Sequence, residues 1–182
     1  MENATRIGVI SDTHLTGERG ETRGLVGRLK GGSRPEGIAG LREDLAPHFD
    51  GVDLIIHSGD IVSLEVLGML SDFARVEAVA GNMDPPALRE SLPESRTLAF
   101  GRFRIGIVHG WGSPLGITNR IRTLFDEVDC IVFGHTHRPL NEVDEGILFF
   151  NPGSATDRAF APHRSVGIVE VGRKIEGKIV RL

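Results

Sequence analysis

The sequence predicts an α/β fold that gains a second, partly antiparallel sheet toward its C-terminus. Short apolar runs recur along the chain, and each ends in a polar cluster. Runs without polar alternation suit strands buried on both faces, as in helix-covered sheets. Helical patterns lie between several of these runs, and alternation of strand with helix marks an α/β chain.

Taken in order, Ile7-Gly8-Val9-Ile10 leads into Ser11-Asp12-Thr13-His14. A helical pattern follows over 38–49. Leu54-Ile55-Ile56 then leads into His57-Ser58-Gly59-Asp60. Ser63 is a fitting N-cap for a second helix over 64–75. The run 76–80 leads into Gly81-Asn82-Met83-Asp84, and Ile105-Gly106-Ile107-Val108 into His109-Gly110. A third helical pattern covers 115–128. Cys130-Ile131-Val132-Phe133 precedes Gly134-His135-Thr136-His137. The C-terminal third has strand patterns at 147–150, 165–171 and 174–180 with little helix between. Val171-Gly172-Arg173-Lys174 reads as a hairpin turn.

The 182 residues, 40% hydrophobic and 25% charged, fit a single domain spanning 1–182. No apolar run approaches the roughly 20 residues that cross a bilayer, so no membrane partner is expected. The stretch 7–10 is too brief for the apolar core of a secretion signal. Cys130 is the single cysteine, which excludes a disulfide scaffold and makes the cytoplasm the expected compartment. The net charge of −4 gives no footprint for gripping long nucleic acid. Residues 15–40 hold eight glycines and eight charged residues, too polar for core, and are expected to form a Gly-rich flexible loop. Such a loop is either an inert insertion or, since it leaves from His14, a lid that presents Arg19, Arg23 or Arg28 to a phosphate.

In open α/β sheets ligands bind beyond the carboxyl ends of the strands. Five polar clusters at such ends would therefore converge. They bring Asp12, His14, Asp60, Asn82, His109, His135 and His137: two carboxylates, one amide and four imidazoles, without a thiolate. That donor set suits Mn, Fe or Zn. Seven donors exceed what one ion needs in a site that keeps positions open for substrate. Two ions sharing a bridging carboxylate would use them all.

The ordered set Asp12-x-His14, Gly59-Asp60, Gly81-Asn82, His109-Gly110 and Gly134-His135-x-His137 resembles the calcineurin-like metallophosphoesterase superfamily. Ser11-Asp12-Thr13-His14, Gly134-His135-Thr136-His137-Arg138-Pro139 and Asn151-Pro152-Gly153-Ser154 resemble its compact phosphodiesterases of the YfcE type. The resemblance implies a four-layer αββα sandwich of two mixed β-sheets flanked by helices. It implies two divalent ions, Mn2+ first, with Fe, Zn or Ni as alternatives. Asp12, His14 and His137 would hold one ion and Asn82, His109 and His135 the other, with Asp60 bridging.

Two ions about 3.5–4 Å apart trap a bridging hydroxide and polarise a phosphoryl oxygen, so no protein nucleophile is needed. Ser11 and Ser58 then read as hydrogen-bonding turn residues. Many superfamily members place a His directly after the Asn of the third motif, whereas this chain has Met83, which cannot donate a proton. A leaving group of high pKa suffers most from that loss, which favours activated or cyclic phosphodiesters over alkyl monoesters. His57 and Asp84 are candidates to orient the ligands from behind, and His14 or His57 to supply the missing proton. Arg138, Arg158 and Arg164 are either phosphate clamps or surface charge. Trp111 either stacks a base or packs at the rim, and Cys130 reads as a small core residue.

The expected function is hydrolysis of a small phosphodiester, with a homo-oligomer compatible. The alternative is a non-catalytic protein-interaction scaffold of the same fold, as the retromer subunit of the superfamily suggests. The complete donor set favours the enzyme.

Overall fold

The computed structural model describes residues 4–16 and 36–182. Most of the expected loop, with Arg19, Arg23 and Arg28, lies outside the described residues. At its two ends, Leu15 packs on the core and residues 37–40 are the opening turn of a helix, not loop.

The described elements run β1 (Thr5–Ile10), α1 (Gly37–Phe49), β2 (Leu54–His57), α2 (Leu64–Ser71), β3 (Arg75–Ala78), α3 (Pro86–Ser91), β4 (Ser95–Phe100), β5 (Phe103–Val108), α4 (Ile117–Arg122), β6 (Cys130–Val132), β7 (Leu140–Asp144), β8 (Ile147–Asn151), β9 (Ser165–Val171) and β10 (Ile175–Arg181). They form two five-stranded sheets, in the orders β10-β9-β1-β2-β3 and β4-β5-β6-β8-β7. Each sheet is mixed. The strands β1, β2 and β3 run parallel in one, β5, β6 and β8 in the other, and antiparallel strands flank both trios.

Side-chain alternation along the central strands explains their unbroken apolar runs. Ile7, Val9, Leu54 and Ile56 face Ile105, Ile107, Cys130 and Val132 between the sheets. Their neighbours Ile10 and Ile55 point the other way, onto Leu45 and Phe49 of α1 and Val66 and Leu70 of α2. In the second sheet Ile131 and Phe149 point outward onto Ile117 and Ile121 of α4. Both faces of each central strand are therefore dry, and the result is the αββα sandwich. Two glycines admit rings from the outer layers. A Cβ at Gly8 would lie 3.2 Å from the Phe49 ring, and one at Gly106 would lie 2.9 Å from Phe125.

Cys130 is buried between the sheets, where desolvation pushes its thiol pKa well up. The Ser63 hydroxyl accepts from the Glu65 amide at 3.2 Å, so α2 has the expected cap. That helix nevertheless stops at Ser71, because the Phe73 amide turns back to the Leu70 carbonyl and Arg75 is drawn into register with Leu54. The third helix shrinks to α4. The amides of Leu124 and Phe125 close three-residue turns onto Ile121 and Arg122, and Phe125 and Val128 pack on the sheet from an irregular segment. Helix α3 and strands β4 and β7 were not foreseen. The two strands are exposed edges without apolar runs, joined to β5 and β8 by two-residue turns at Gly101-Arg102 and Glu145-Gly146. Among the described residues no helix is long and apolar enough to cross a membrane.

Gly106→Ala should overpack the α4 side of the second sheet. A loss of about 1–3 kcal/mol is expected, read as a lower urea midpoint.

Candidate metal centre

The parallel trios point their carboxyl ends at the same edge of the sandwich, and the polar loops there are tied backbone to backbone. The Asp12 amide donates to the Gly59 carbonyl at 3.1 Å, His14 to Asp60 at 3.2 Å, and Gly134 to His109 at 3.0 Å. Bonds also cross between the sheets, among them that from the His135 amide to Asp12 Oδ2 at 3.1 Å. The glycines preceding Asn82 and His135 are there for close approach. A Cβ on Gly81 would collide with Asp60, and one on Gly134 with Ser11 and Asp12.

The loops are held in a strained form. Asp12, His14, Asp60, His135 and His137 all have φ between 44° and 68°. Left-handed backbone is uncommon for non-glycine residues, and such conformations cost of order 1–3 kcal/mol each. All five are expected ligands, so the strain coincides with the site.

The side chains fall into two groups around Asp12. Its Oδ1 lies 3.2 Å from His137 Nε2 and 3.9 Å from both His14 Nε2 and His109 Nε2. Asp60 accepts the Met83 amide on Oδ1 at 2.7 Å. Its Oδ2 lies between two imidazoles, 3.2 Å from His109 Nε2 and 3.6 Å from His14 Nε2. Asp12, His14 and His137 form one cluster of metal-competent atoms; Asp12, Asp60 and His109 form another. Asn82 and His135 pair beside the second, with Asn82 Oδ1 at 3.1 Å from His135 Nδ1 and the His135 ring edge-on to His109 at 5.4 Å. All seven expected side chains are thus brought together.

Hydrogen bonds on the far side of three rings decide where their lone pairs face. His109 Nδ1 lies 2.8 Å from the Ser58 carbonyl, which can only accept, so Nδ1 carries the proton. His135 Nε2 donates likewise to the Gly112 carbonyl at 2.9 Å. His137 Nδ1 donates to Asp157 Oδ2 at 2.5 Å. In their neutral forms these rings turn His109 Nε2, His135 Nδ1 and His137 Nε2 toward the oxygens of Asp60, Asn82 and Asp12, lone pair against lone pair. Asp12 Oδ1 and His109 Nε2 are buried with no hydrogen-bond partner. Buried polar atoms are otherwise almost always satisfied. A divalent cation is the group that fits these atoms.

Ionisation follows the same logic. The adjoining Asp12 carboxylate, then that of Asp157, raises the His137 pKa to about 9 against the opposing effect of burial. Burial also opposes charge on His109, yet the adjoining Asp60 and Asp12 raise its pKa overall. Positive charge is what this cluster demands.

Asp157 was not foreseen. It sits in the loop after β8, and its Oδ1 also accepts the amides of Ala159 and Phe160. A carboxylate behind a ligating histidine is a recurrent arrangement, but nothing in the local sequence marks it. Asn151-Pro152-Gly153-Ser154 proves a stitching turn. Asn151 Nδ2 donates to the Gly134 carbonyl at 2.8 Å, and Ser154 Oγ to the Asp12 carbonyl at 2.7 Å.

His57 is fully buried, and desolvation lowers its pKa to about 3. Its Nδ1 accepts the Gly59 amide at 3.2 Å, leaving Nε2 to donate to Thr13 Oγ1 at 3.1 Å. Asp84 is also buried. Its Oδ1 takes the amides of Ile61 (2.6 Å) and Val62 (2.7 Å), and Oδ2 that of Gly81 (2.7 Å). Both residues hold loop backbone. Ser11 Oγ is buried against the Ser58 carbonyl, as a turn residue would be. Arg164 is committed to Asp44 at 2.6 Å. Arg158 lines a separate cavity with Leu15 and Thr156, and Arg138 is exposed.

Comparison with known proteins agrees with this geometry. The profile of the calcineurin-like phosphoesterase superfamily domain matches residues 5–174. The chain belongs to that superfamily. A probable metallophosphoesterase of Methanothermobacter thermautotrophicus is 35% identical over 179 residues, 96% of this chain and 91% of that protein. Among solved structures, Vacuolar Protein Sorting 29 from Cryptosporidium parvum superposes with a TM-score of 0.71 at 25% identity, covering 100% of this chain and 93% of the other. A novel archaeal phosphodiesterase gives 0.69 over 97% and 99% of the two chains, and at 21% identity shares the fold.

Asp157→Asn removes the charge that favours protonated His137. In metal-free protein the His137 titration, followed by NMR of its ring, should move below about 9 by about one unit or more.

Proposed function

We propose that this member of the superfamily is a dinuclear metal-dependent phosphodiesterase. The observation that carries the reading is the unpartnered pair Asp12 Oδ1 and His109 Nε2, buried at the centre of a complete set of seven donors. Asp12, His14 and His137 would hold one ion, and Asn82, His109 and His135 the other. Asp60 is the proposed bridge, since its Oδ2 lies between His14 and His109 while Oδ1 is committed to the Met83 amide. Bound there, two divalent ions supply the Lewis acidity that ionises water at neutral pH and withdraws charge from a phosphoryl oxygen.

The chain's own part is positional. Ser58, Gly112 and Asp157 fix the three ring orientations, and Asp84 and His57 fix the loops that carry Asp60, Asn82 and Asp12. Preference for diesters rests on the acids near the leaving group. Met83 is exposed and offers no proton. Asp84 has both oxygens occupied by amides, and His57 is buried in its own hydrogen bonds. A substrate whose leaving group departs without protonation avoids the deficit.

The likeness to Vacuolar Protein Sorting 29 keeps a scaffold role as the second reading. The presence of all seven expected donors in one place favours catalysis. Loading with Mn2+ should give two ions per chain by elemental analysis, and Asp60→Ala should lower that stoichiometry. A wild-type value fixed near one, or unchanged loading in the variant, would sink the dinuclear reading.

Bis(nitrophenyl) phosphate should be hydrolysed faster than any alkyl monoester. Met83→His should raise alkyl monoester turnover by about a hundredfold, the low side of what acid–base assistance supplies. Faster monoester hydrolysis by the natural chain would overturn the diester preference.

A further inference from the structure

We infer that a cavity beside the metal centre, walled by Trp111, is a subsite for a nucleobase carried on one arm of the phosphodiester. The inference rests on the diesterase reading above and names the class of substrate. The cavity has a volume of about 370 Å³, and its lining includes Asn82 and His109. A group seated in it is therefore adjacent to the centre where a phosphate would lie. Its volume is at the lower end for small-molecule sites and suits a ring system rather than a long chain.

The lining has two characters. Trp111, Leu124 and Val108 make an apolar wall, with Trp111 45% and Leu124 46% exposed. Leaving a tryptophan half open to water forgoes burial that a ligand would restore. The other side carries Arg89, Glu94 and Ser95. Neither the Arg89 guanidinium nor the Glu94 carboxylate has a hydrogen-bond or ion-pair partner among the described residues, so donors and acceptors stand free. An aliphatic arm would use the wall and leave these groups idle. A nucleobase uses both: its face stacks on indole, and its edge pairs with guanidinium and carboxylate.

The wall is also held in place. Arg120 donates to the carbonyls of Trp111 at 3.0 Å and Leu115 at 2.9 Å, and also to that of Ser113. The same loop supplies the Gly112 carbonyl that orients His135. Subsite and metal centre thus share one braced segment, and a base stacked on Trp111 would be positioned relative to the reacting phosphorus.

Trp111 is the only tryptophan in the chain, so its fluorescence reports on this cavity alone. Metal-free protein is titrated with adenosine, with ribose and with p-cresol, none of which carries a phosphate. Saturable quenching by adenosine, absent with ribose and weaker with p-cresol, is expected. By calorimetry Trp111→Leu should weaken adenosine binding about five- to a hundredfold, the range base–aromatic stacking supplies, and Trp111→Phe should recover most of it. Equal responses to adenosine and ribose, no saturation, or p-cresol binding as tightly as adenosine would overturn the proposal. The wild-type titration stands even if a variant fails to fold. Adenosine binding without nitrophenyl diester hydrolysis would sink the diesterase reading and spare the subsite; hydrolysis without an adenosine response would do the reverse.

Discussion

Two carboxylates buried side by side are the constraint around which this molecule is arranged. Asp12 and Asp60 are almost wholly removed from water at the edge where the two sheets meet. Buried charges of one sign are costly unless opposite charge accompanies them. The protein surrounds the pair with three imidazoles instead of lysine or arginine, sets a fourth, His135, against His109, and leaves Asp12 Oδ1 and His109 Nε2 without hydrogen-bond partners. Imidazole accepts a proton or a metal at neutral pH, so the charge deficit becomes a cation site rather than a permanent ion pair.

Everything around the pair keeps it from relaxing. Five expected ligands have left-handed backbone, and the cost is carried by a dense set of buried hydrogen bonds. Asp84 clamps the loops after β2 and β3 through three amides, His57 links Gly59 to Thr13, and Asn151 and Ser154 tie the loops after β6 and β1. These residues are as buried as the hydrophobic core. The sandwich supplies the rigid frame, since each central strand is packed on both faces and cannot shift to relieve its loop.

Membership of the superfamily does not by itself choose a substrate, and two exposed side chains stand where that choice could be made. On the proposed reading Met83, beside Asn82, leaves the leaving-group side without an acid. Trp111, beside His109, opens an apolar wall. Both are exposed at the same edge of the fold, next to residues of the donor set. The proposed chemistry and the proposed selectivity would therefore occupy adjoining positions on the same loops.

The sequence by itself determined the α/β class, the central strands and the identity of the converging side chains. Burial on both faces writes itself as unbroken apolar runs, and the loop beyond each strand is where polar residues concentrate. Edge strands β4 and β7 left no such trace, because one open face lets polar residues interrupt their apolar ones. Helix lengths were also overstated, since α2 and α4 are cut short by turns that serve sheet pairing and packing. Only the tertiary structure decided that the glycines before Asn82 and His135 serve close approach, that Asp84 is a backbone clamp, and that Asp157 stands behind His137. Those assignments depend on contacts between strand ends far apart in sequence, and a lone aspartate in a loop carries no periodicity or spacing to announce the histidine it will meet.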